Sequence, residues 1–304
     1  MRLLKDHIVP KWQLYRRIAR MRNPLKSARL TMGIMAPWTM WRAPLLRSLI
    51  GIRTAQHSEA ITVLCLANRL FLYVPSPNLS VGELLIKVDP QATPEMQAVE
   101  LFREVAYIDQ YEVCHTLKPG AIVLDIGANI GSFTLLASKL VGEQGKVIAV
   151  EPVPSNVECL RLMCERNKLG NVEVVAAAVG ESPGTLTLHI DPHIGGHSAK
   201  KEFTTRSVDV PVTTIDALVA ERGLSRVDLI KMDVEGMEAE ALKGAALTIR
   251  TLRPRLAVSA YHLERDSEDL PALVTTMESN YQVSVERLGP GFEWIMFAHA
   301  PMCV

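Results

Sequence analysis

The run AIVLDIGANIG, Ala121 to Gly131, decides the fold. Its first six residues are apolar except for Asp125, and Lys118-Pro119-Gly120 precedes them as a stop signal for whatever comes before. A short apolar run bounded in this way reads as a strand buried on both faces. It passes through Gly127, Ala128, Asn129 and Gly131 into SFTLLASKLV, which reads as a helix. The same alternation continues downstream. KVIAVE (146–151) is a second strand, followed by the helical stretch VPSNVECLRLMCERNKL, and NVEVVAAAV (171–179) is a third strand. VDLIKMDV is a fourth strand, leading into one helix through EAEALKGAALTIRTL. RLAVSAYH (255–262) is a fifth strand with the helix EDLPALVTTMES after it, and YQVSVERL with GFEWIMFAHA makes a hairpin around Gly289-Pro290-Gly291. Between the third and fourth strands lie a short extra strand, LTLHI (186–190), a polar loop at 193–207 and a short helix in VTTIDALVAERG. Strands alternating with helices at this spacing predict an α/β fold with a mostly parallel sheet covered on both faces. The terminal hairpin adds an antiparallel strand.

Upstream the pattern is different. The chain has 304 residues and a net charge of zero, but residues 1–53 hold twelve of the 33 Lys and Arg and one of the 33 acids. That arm is therefore +11 and the rest of the chain −11. Basic groups alternate with apolar ones in WQLYRRIARMRNPLKSARL, as in an amphipathic helix that lies on an anionic lipid surface or packs on its own domain. The apolar stretch at 31–52 is interrupted by Pro37, Arg42, Pro44 and Arg47, which argues against a spanning helix. The N-terminus shows no secretory leader pattern, and the five cysteines form no C-x-x-C pair. The expected location is therefore cytoplasmic, with the arm as a peripheral membrane contact. AITVLCLANRLFLYV (60–74) reads as two strands, GELLIKV (82–88) as a third, and TPEMQAVELFREVAYIDQYEVCHTL (93–117) as one helix or two. Three regions result: a basic arm (1–53), a small β-rich segment (54–92) and a large domain (93–304).

In an open α/β sheet, ligands bind beyond the carboxyl ends of the strands at the switch point. Here that point follows AIVLDI, so the ligand loop is Gly127, Ala128, Asn129 and Gly131. Twenty residues past Gly131, Glu151 ends the second strand, where a carboxylate can accept the hydroxyls of a ribose. A nicotinamide dinucleotide loop wants G-x-G-x-x-G for close approach of a pyrophosphate. Asn129 and Ser132 stand where its second and third glycines should be. A bulkier loop preceded by an acid suits a cationic ligand without phosphate, S-adenosylmethionine, whose ammonium Asp125 would help to hold directly or through water.

VLDIGANIGSFTLLA, VEPVPSNVECLRLMCERN, DLIKMDVEGMEAEALKGA and LAVSAYH together closely resemble the FkbM family of S-adenosylmethionine-dependent methyltransferases. The resemblance covers roughly residues 93–304. It implies a class I, Rossmann-like fold with a seven-stranded sheet, and it implies cofactor contacts from Asp125, Gly127, Asn129, Gly131 and Glu151. Asn156 belongs to the same motif, either touching the ligand or capping the second helix, and the adenine is expected near Ala178 and Val179. Family members methylate hydroxyl oxygens on sugars, polyketides and related natural products.

Methyl transfer to an alcohol needs an oriented acceptor and a base for its proton. Asp233, in KMDVEG at the end of the fourth strand, is the first candidate. Glu235 lies beside it, and His262 (end of the fifth strand) and His197 (in the GGHS loop) are histidines that would converge there and take a proton at neutral pH. The same carboxylates could instead cap the following helix. With a histidine they are also a credible set for a divalent cation, although no metal is predicted. The expected substrate is a small or lipid-linked hydroxylated acceptor. A nucleic-acid methyltransferase is disfavoured by the acids of D-V-E-G and by the lack of a [DN]-P-P-[YFW] stretch. A non-catalytic cofactor-binding, membrane-docking subunit would not need the polar groups opposite the methyl.

Overall fold

A computed structural model of the chain describes residues 111, 117–189, 207–287 and 294–301, together with the backbone of 53–58, 61–66 and 70–75. Those three short segments are the strands β1 (Arg53–Ser58), β2 (Ile61–Leu66) and β3 (Leu70–Pro75), paired antiparallel in the order β1-β2-β3. β2 and β3 fall where the 60–74 run places them. β1 was not expected, because RTAQHS lacks alternating large apolar groups; pairing with β2 makes it a strand. Residues 1–52, the 82–88 run and nearly all of the 93–116 helical stretch lie outside the described residues.

The main sheet has seven strands in the order β6-β5-β4-β10-β11-β13-β12. In chain order these are β4 (Ile122–Ile126), β5 (Lys146–Val150), β6 (Val172–Val175), β10 (Leu229–Met232), β11 (Arg255–Ser259), β12 (Gln282–Arg287) and β13 (Trp294–His299). β13 runs antiparallel to both of its neighbours, and the other pairs are parallel. Helices carry the crossovers: α1 (Ser132–Val141) follows β4, and α2 (Pro154–Arg166) follows β5. α3 (Ile215–Glu221) precedes β10, α4 (Glu238–Lys243) and α5 (Ala246–Leu252) link β10 to β11, and α6 (Asp266–Met277) links β11 to β12. This is the mostly parallel sheet that the alternation predicts, with the seven strands that the family resemblance implies.

The central strands are buried on both faces, as their uninterrupted apolar runs require. Leu124, Ile126, Ile148, Ile230 and Val258 are fully enclosed in one core with helix residues such as Leu218, Leu242 and Ile249. Each such side chain contributes roughly 1.5–3 kcal/mol. From β4 the chain builds outward through β5 and β6, then returns to place β10 and β11 on the other flank. The order reverses between β4 and β10, so the crevice opens at the carboxyl ends of those two strands.

Three expectations are corrected. NVEVVAAAV is not one strand, because β6 stops at Val175 and β7 (Ala178–Val179) joins a separate sheet. That sheet has the order β7-β9-β8, with β8 (Gly184–His189) and β9 (Ser207–Thr213) antiparallel. β9 was hidden by Pro211, a residue uncommon in central strands. β7 pairs with β9 only at Val212 and Thr213, beyond the proline. The helix after β10 is two helices, interrupted at Gly244, where a Cβ would collide with the carbonyl oxygen of Gly180. Among the described residues no helix is long and apolar enough to cross a membrane. Cys159 and Cys164 are free, and burial pushes both thiols up to about 12, so they are inert at neutral pH.

Candidate active site

The loop after β4 is pressed against the end of β10. Gly127 has φ +75, and a Cβ there would run into the main-chain carbonyl of Asp233. Only glycine lets the two strand ends approach so closely. The N–H groups of Gly127 and Ala128 both donate to the Val150 carbonyl at 2.9 Å, which ties the loop to β5 as well. Asn129 has φ 52, a conformation that asparagine tolerates better than most side chains, and its Oδ1 accepts from the Ile130 N–H at 2.8 Å. Gly131, at φ +94, leaves no room for a Cβ beside Leu160 and Met163 of α2. The loop therefore keeps glycine only where neighbours demand it.

Glu151, just past β5, is buried at 5% exposure. Its Oε2 accepts from the Asn129 N–H at 2.9 Å, and its Oε1 accepts from the Val153 N–H at 3.0 Å and from Asn156 Nδ2 at 3.3 Å. Of about four acceptor positions on a carboxylate, three are used and one remains on Oε2. Burial raises its pKa to about 6, against the opposing pull of those hydrogen bonds and of Lys231. Asn156 sits inside α2 and braces Glu151; the N-cap of that helix is Val153, so the capping role weighed for Asn156 is not what the side chain does. Ala178 and Val179 are buried in β7: Val179 lies in the main core, and Ala178 packs with Val153, Leu188 and Val210.

Asp125 does not line the crevice as an open carboxylate. It is fully buried on β4, where Thr134 Oγ1 donates to Oδ2 and the Lys231 ammonium stands 3.2 Å from Oδ1, off the line of a hydrogen bond. Lys231 and Asp125 are register partners on adjacent parallel strands, so their side chains share one face. The ammonium donates to the Gly127 carbonyl at 2.7 Å and lies 5.5 Å from the centre of the Tyr111 ring. A buried ion pair thus holds the glycine loop from beneath. Sequence reasoning passed over Lys231; a lone cation inside LIKM, opposite the acid of VLDI, was its signal.

Beyond β10 the residues of D-V-E-G form a tight turn in which Glu235 takes φ 55, a left-handed conformation rare for glutamate, and Gly236 takes φ 97. Neither Asp233 nor Glu235 is the N-cap of α4, which is Met237 without a side-chain hydrogen bond, and the turn ahead of that helix is closed by a third acid. Glu238 is buried at 1% exposure, and its carboxylate accepts from the N–H groups of Val234 at 2.9 Å and Gly236 at 3.0 Å. It also pairs with His262 Nδ1 at 2.8 Å. Glu238 was missed because an acid at the start of a helix looks routine. His262, three residues past β11, points its Nε2 between Asp233 Oδ1 and Glu235 Oε2, 3.5 Å from each. Burial of the ring disfavours its charge, but the hydrogen bond with Glu238 and the nearby Asp233 and Glu235 carboxylates outweigh this and raise its pKa to about 9. Without a ligand His262 is therefore an imidazolium at neutral pH and already carries the proton that a base would have to accept. The Tyr111 hydroxyl donates to Asp233 Oδ2 at 3.1 Å. His197 lies outside the described residues. The structure thus gathers Asp233, Glu235 and His262 in one cluster, with Tyr111 and Glu238 added.

A seven-stranded sheet of this order, with a glycine loop after its central strand and an acid closing the next, defines a class I S-adenosylmethionine-dependent methyltransferase. Residues 125–283 match the methyltransferase FkbM domain, and the chain belongs to that family. It is 30% identical over 180 residues to 31-O-demethyl-FK506 methyltransferase FkbM of Streptomyces tacrolimicus, a match covering 49% of this chain and 68% of that protein. It is 28% identical over 185 residues to methyltransferase sdnD of Sordaria araneosa, covering 50% and 71%. Hexuronic acid methyltransferase AglP of Haloferax volcanii is 24% identical over 163 residues, covering 54% and 65%. A crystal structure of methyltransferase FkbM from Methylobacillus flagellatus superposes with a TM-score of 0.47 at 21% identity; the match covers 67% of this chain and 54% of that one.

Proposed function

We propose that the protein transfers the methyl group of S-adenosylmethionine to a hydroxyl oxygen of a glycan, glycolipid or secondary metabolite, with the Asp233 carboxylate taking the hydroxyl proton. One observation carries the reading: the polar cluster around Asp233 stands at the switch point, against the glycine loop that the cofactor class requires. The residues fit that cofactor. Glu151 keeps one acceptor position on Oε2, next to the Asn129 N–H, which suits a ribose hydroxyl. S-adenosylmethionine, when bound, supplies an electrophilic methyl group on a sulfonium. Asp233 accepts from Tyr111 through Oδ2, while Oδ1 stands 3.5 Å from His262 Nε2 and makes no hydrogen bond among the described residues, so Oδ1 keeps lone pairs to take a proton. Before any ligand arrives, the His262 imidazolium offsets the charge of both acids.

Two relatives support the acceptor class by their names, one acting on 31-O-demethyl-FK506 and the other on hexuronic acid. Residues 1–53, with a net charge of +11, fit peripheral docking on an anionic membrane where a lipid-linked acceptor is built. The test is a screen of hydroxylated sugars and polyketides for release of S-adenosylhomocysteine, followed by Asp233→Asn on the acceptor found. Turnover should drop about 10²–10⁴-fold, while calorimetric affinity for S-adenosylmethionine stays within about twofold of the parent. Unchanged turnover in Asp233→Asn would remove Asp233 as the base.

A further inference from the structure

We propose that Asp233, Glu235 and His262 form a binding site for a divalent transition-metal cation of the Mn²⁺ or Zn²⁺ type, with Glu238 orienting the imidazole. The separations are the first reason. Nε2 of His262 lies 3.5 Å from a carboxylate oxygen of each acid, beyond the usual hydrogen-bond range of about 2.7–3.2 Å. Two ligand atoms each about 2.0–2.1 Å from a tetrahedral Zn²⁺ stand about 3.3–3.4 Å apart. The distances therefore match the edge of a coordination shell better than they match a direct bond.

Burial is the second reason. The His262 side chain is 4% exposed, yet Nε2 makes no hydrogen bond among the described residues, and neither does Asp233 Oδ1. Buried polar atoms are seldom left so, and these two face one another. The third reason is the ring's other nitrogen. Nδ1 lies 2.8 Å from Glu238, whose carboxylate is itself fixed by the Val234 and Gly236 N–H groups. A ligating histidine is commonly oriented by a carboxylate on its second nitrogen, which leaves Nε2 for the metal. Asp233, Glu238 and His262 all offer ligand atoms within 4.8 Å of one another. We place Glu238 behind the imidazole, because its oxygens already serve three partners. The set is mixed: imidazole suits Zn²⁺ and carboxylate suits Mn²⁺. Each Asp233 oxygen keeps a second lone pair, so coordination and proton acceptance are compatible.

The site stands on the geometry of the cluster alone. Only its use rests on the methyl-transfer reading: an acceptor oxygen joining the cation would be polarised and more acidic. The test is a calorimetric titration of tag-free, chelator-stripped full chain with Mn²⁺ and, separately, Zn²⁺, with neither cofactor nor acceptor present. Saturable binding near one ion per chain is expected, weakened at least about 100-fold in His262→Ala and about 10–100-fold in Glu238→Gln. Absence of saturable binding by the parent chain, or equal affinity in His262→Ala, overturns the site. If circular dichroism shows His262→Ala unfolded, Glu235→Gln replaces it, and undiminished affinity there is equally fatal. Because no methyl transfer is measured, a negative result leaves the proposed reaction standing.

Discussion

Glu151 and Asp233 occupy equivalent places in the sheet, each the first residue past a parallel strand, yet the protein treats them oppositely. Glu151 is held by three protein donors and retains one open acceptor position. Among the described residues the Asp233 carboxylate receives one hydrogen bond, from Tyr111, and it faces an imidazole nitrogen 3.5 Å away. The first corner is satisfied because its geometry must not change when a ligand arrives. The second keeps an unbonded Oδ1 beside a turn in which Glu235 is left-handed, which suits the proton acceptor proposed for Asp233. The contrast teaches where pre-organisation ends and chemistry begins, and Lys231, beneath both, separates the two regimes.

The largest effect should come from breaking that separation. Lys231→Met leaves the Asp125 carboxylate buried with no opposing charge and frees the Gly127 carbonyl. Removing one partner of a buried pair costs about 3–5 kcal/mol, to be read as a lower urea midpoint at unchanged slope. Asp125→Leu added to Lys231→Met should restore much of the loss. A loss below about 1 kcal/mol in the single variant would mean that the loop is anchored elsewhere, and the two corners would then be less distinct.

The sequence displays the satisfied half of the site better than the reactive half. The apolar runs of β4, β5, β10 and β11 mark the parallel sheet, because strands buried on both faces leave little choice of residue. Gly127 and Gly131 were legible for the same reason, since their positions admit no Cβ. β9 was not legible, because a proline and polar neighbours obscure a strand made by its partners. Lys231, Tyr111 and Glu238 escaped because each acts through a residue distant in sequence: Lys231 pairs across the register, Tyr111 reaches 122 residues along the chain, and Glu238 turns back to His262. His262 was named, but its charge was not foreseen, since a pKa of about 9 depends on three carboxylates that only folding assembles.

The next effect sharpens the Glu151 corner. Its folded pKa of about 6 exceeds the ordinary 4.5, so the native chain holds this proton more tightly than the unfolded chain does. Between those values stability falls as pH rises, and above about 6 the ionised carboxylate costs about 2 kcal/mol. Its protonated form places the hydrogen on the one open position of Oε2, where a ribose hydroxyl would donate. Calorimetric affinity for S-adenosylmethionine should therefore drop about tenfold from pH 7.5 to pH 5, a loss of roughly 1.4 kcal/mol. Glu151→Gln should bind weakly with a flat profile. A parent profile that is flat as well would mean that Oε2 does not meet the ligand.

The smallest effect tests the hydrogen bond that Tyr111 gives the Asp233 corner. Tyr111 is buried, and burial, reinforced by the negative charge of Asp233, holds its hydroxyl well above the usual tyrosine pKa, so it remains a neutral donor throughout the working range. Its ring packs edge-on against Phe133 at 5.4 Å, which fixes the hydroxyl over Asp233 Oδ2 independently of any ligand. Tyr111→Phe keeps that packing and deletes one hydrogen bond to a charged group, which is worth about 1.5–3 kcal/mol when made to good geometry and less at 3.1 Å. Turnover should fall about 3–10-fold, with KM for the acceptor and affinity for S-adenosylmethionine unchanged, because the bond orients a proton acceptor and touches neither ligand. A change in KM instead would place the tyrosine hydroxyl on the acceptor. Asp233 would then lose the Tyr111 hydrogen bond in the bound state, and its contrast with Glu151 would deepen.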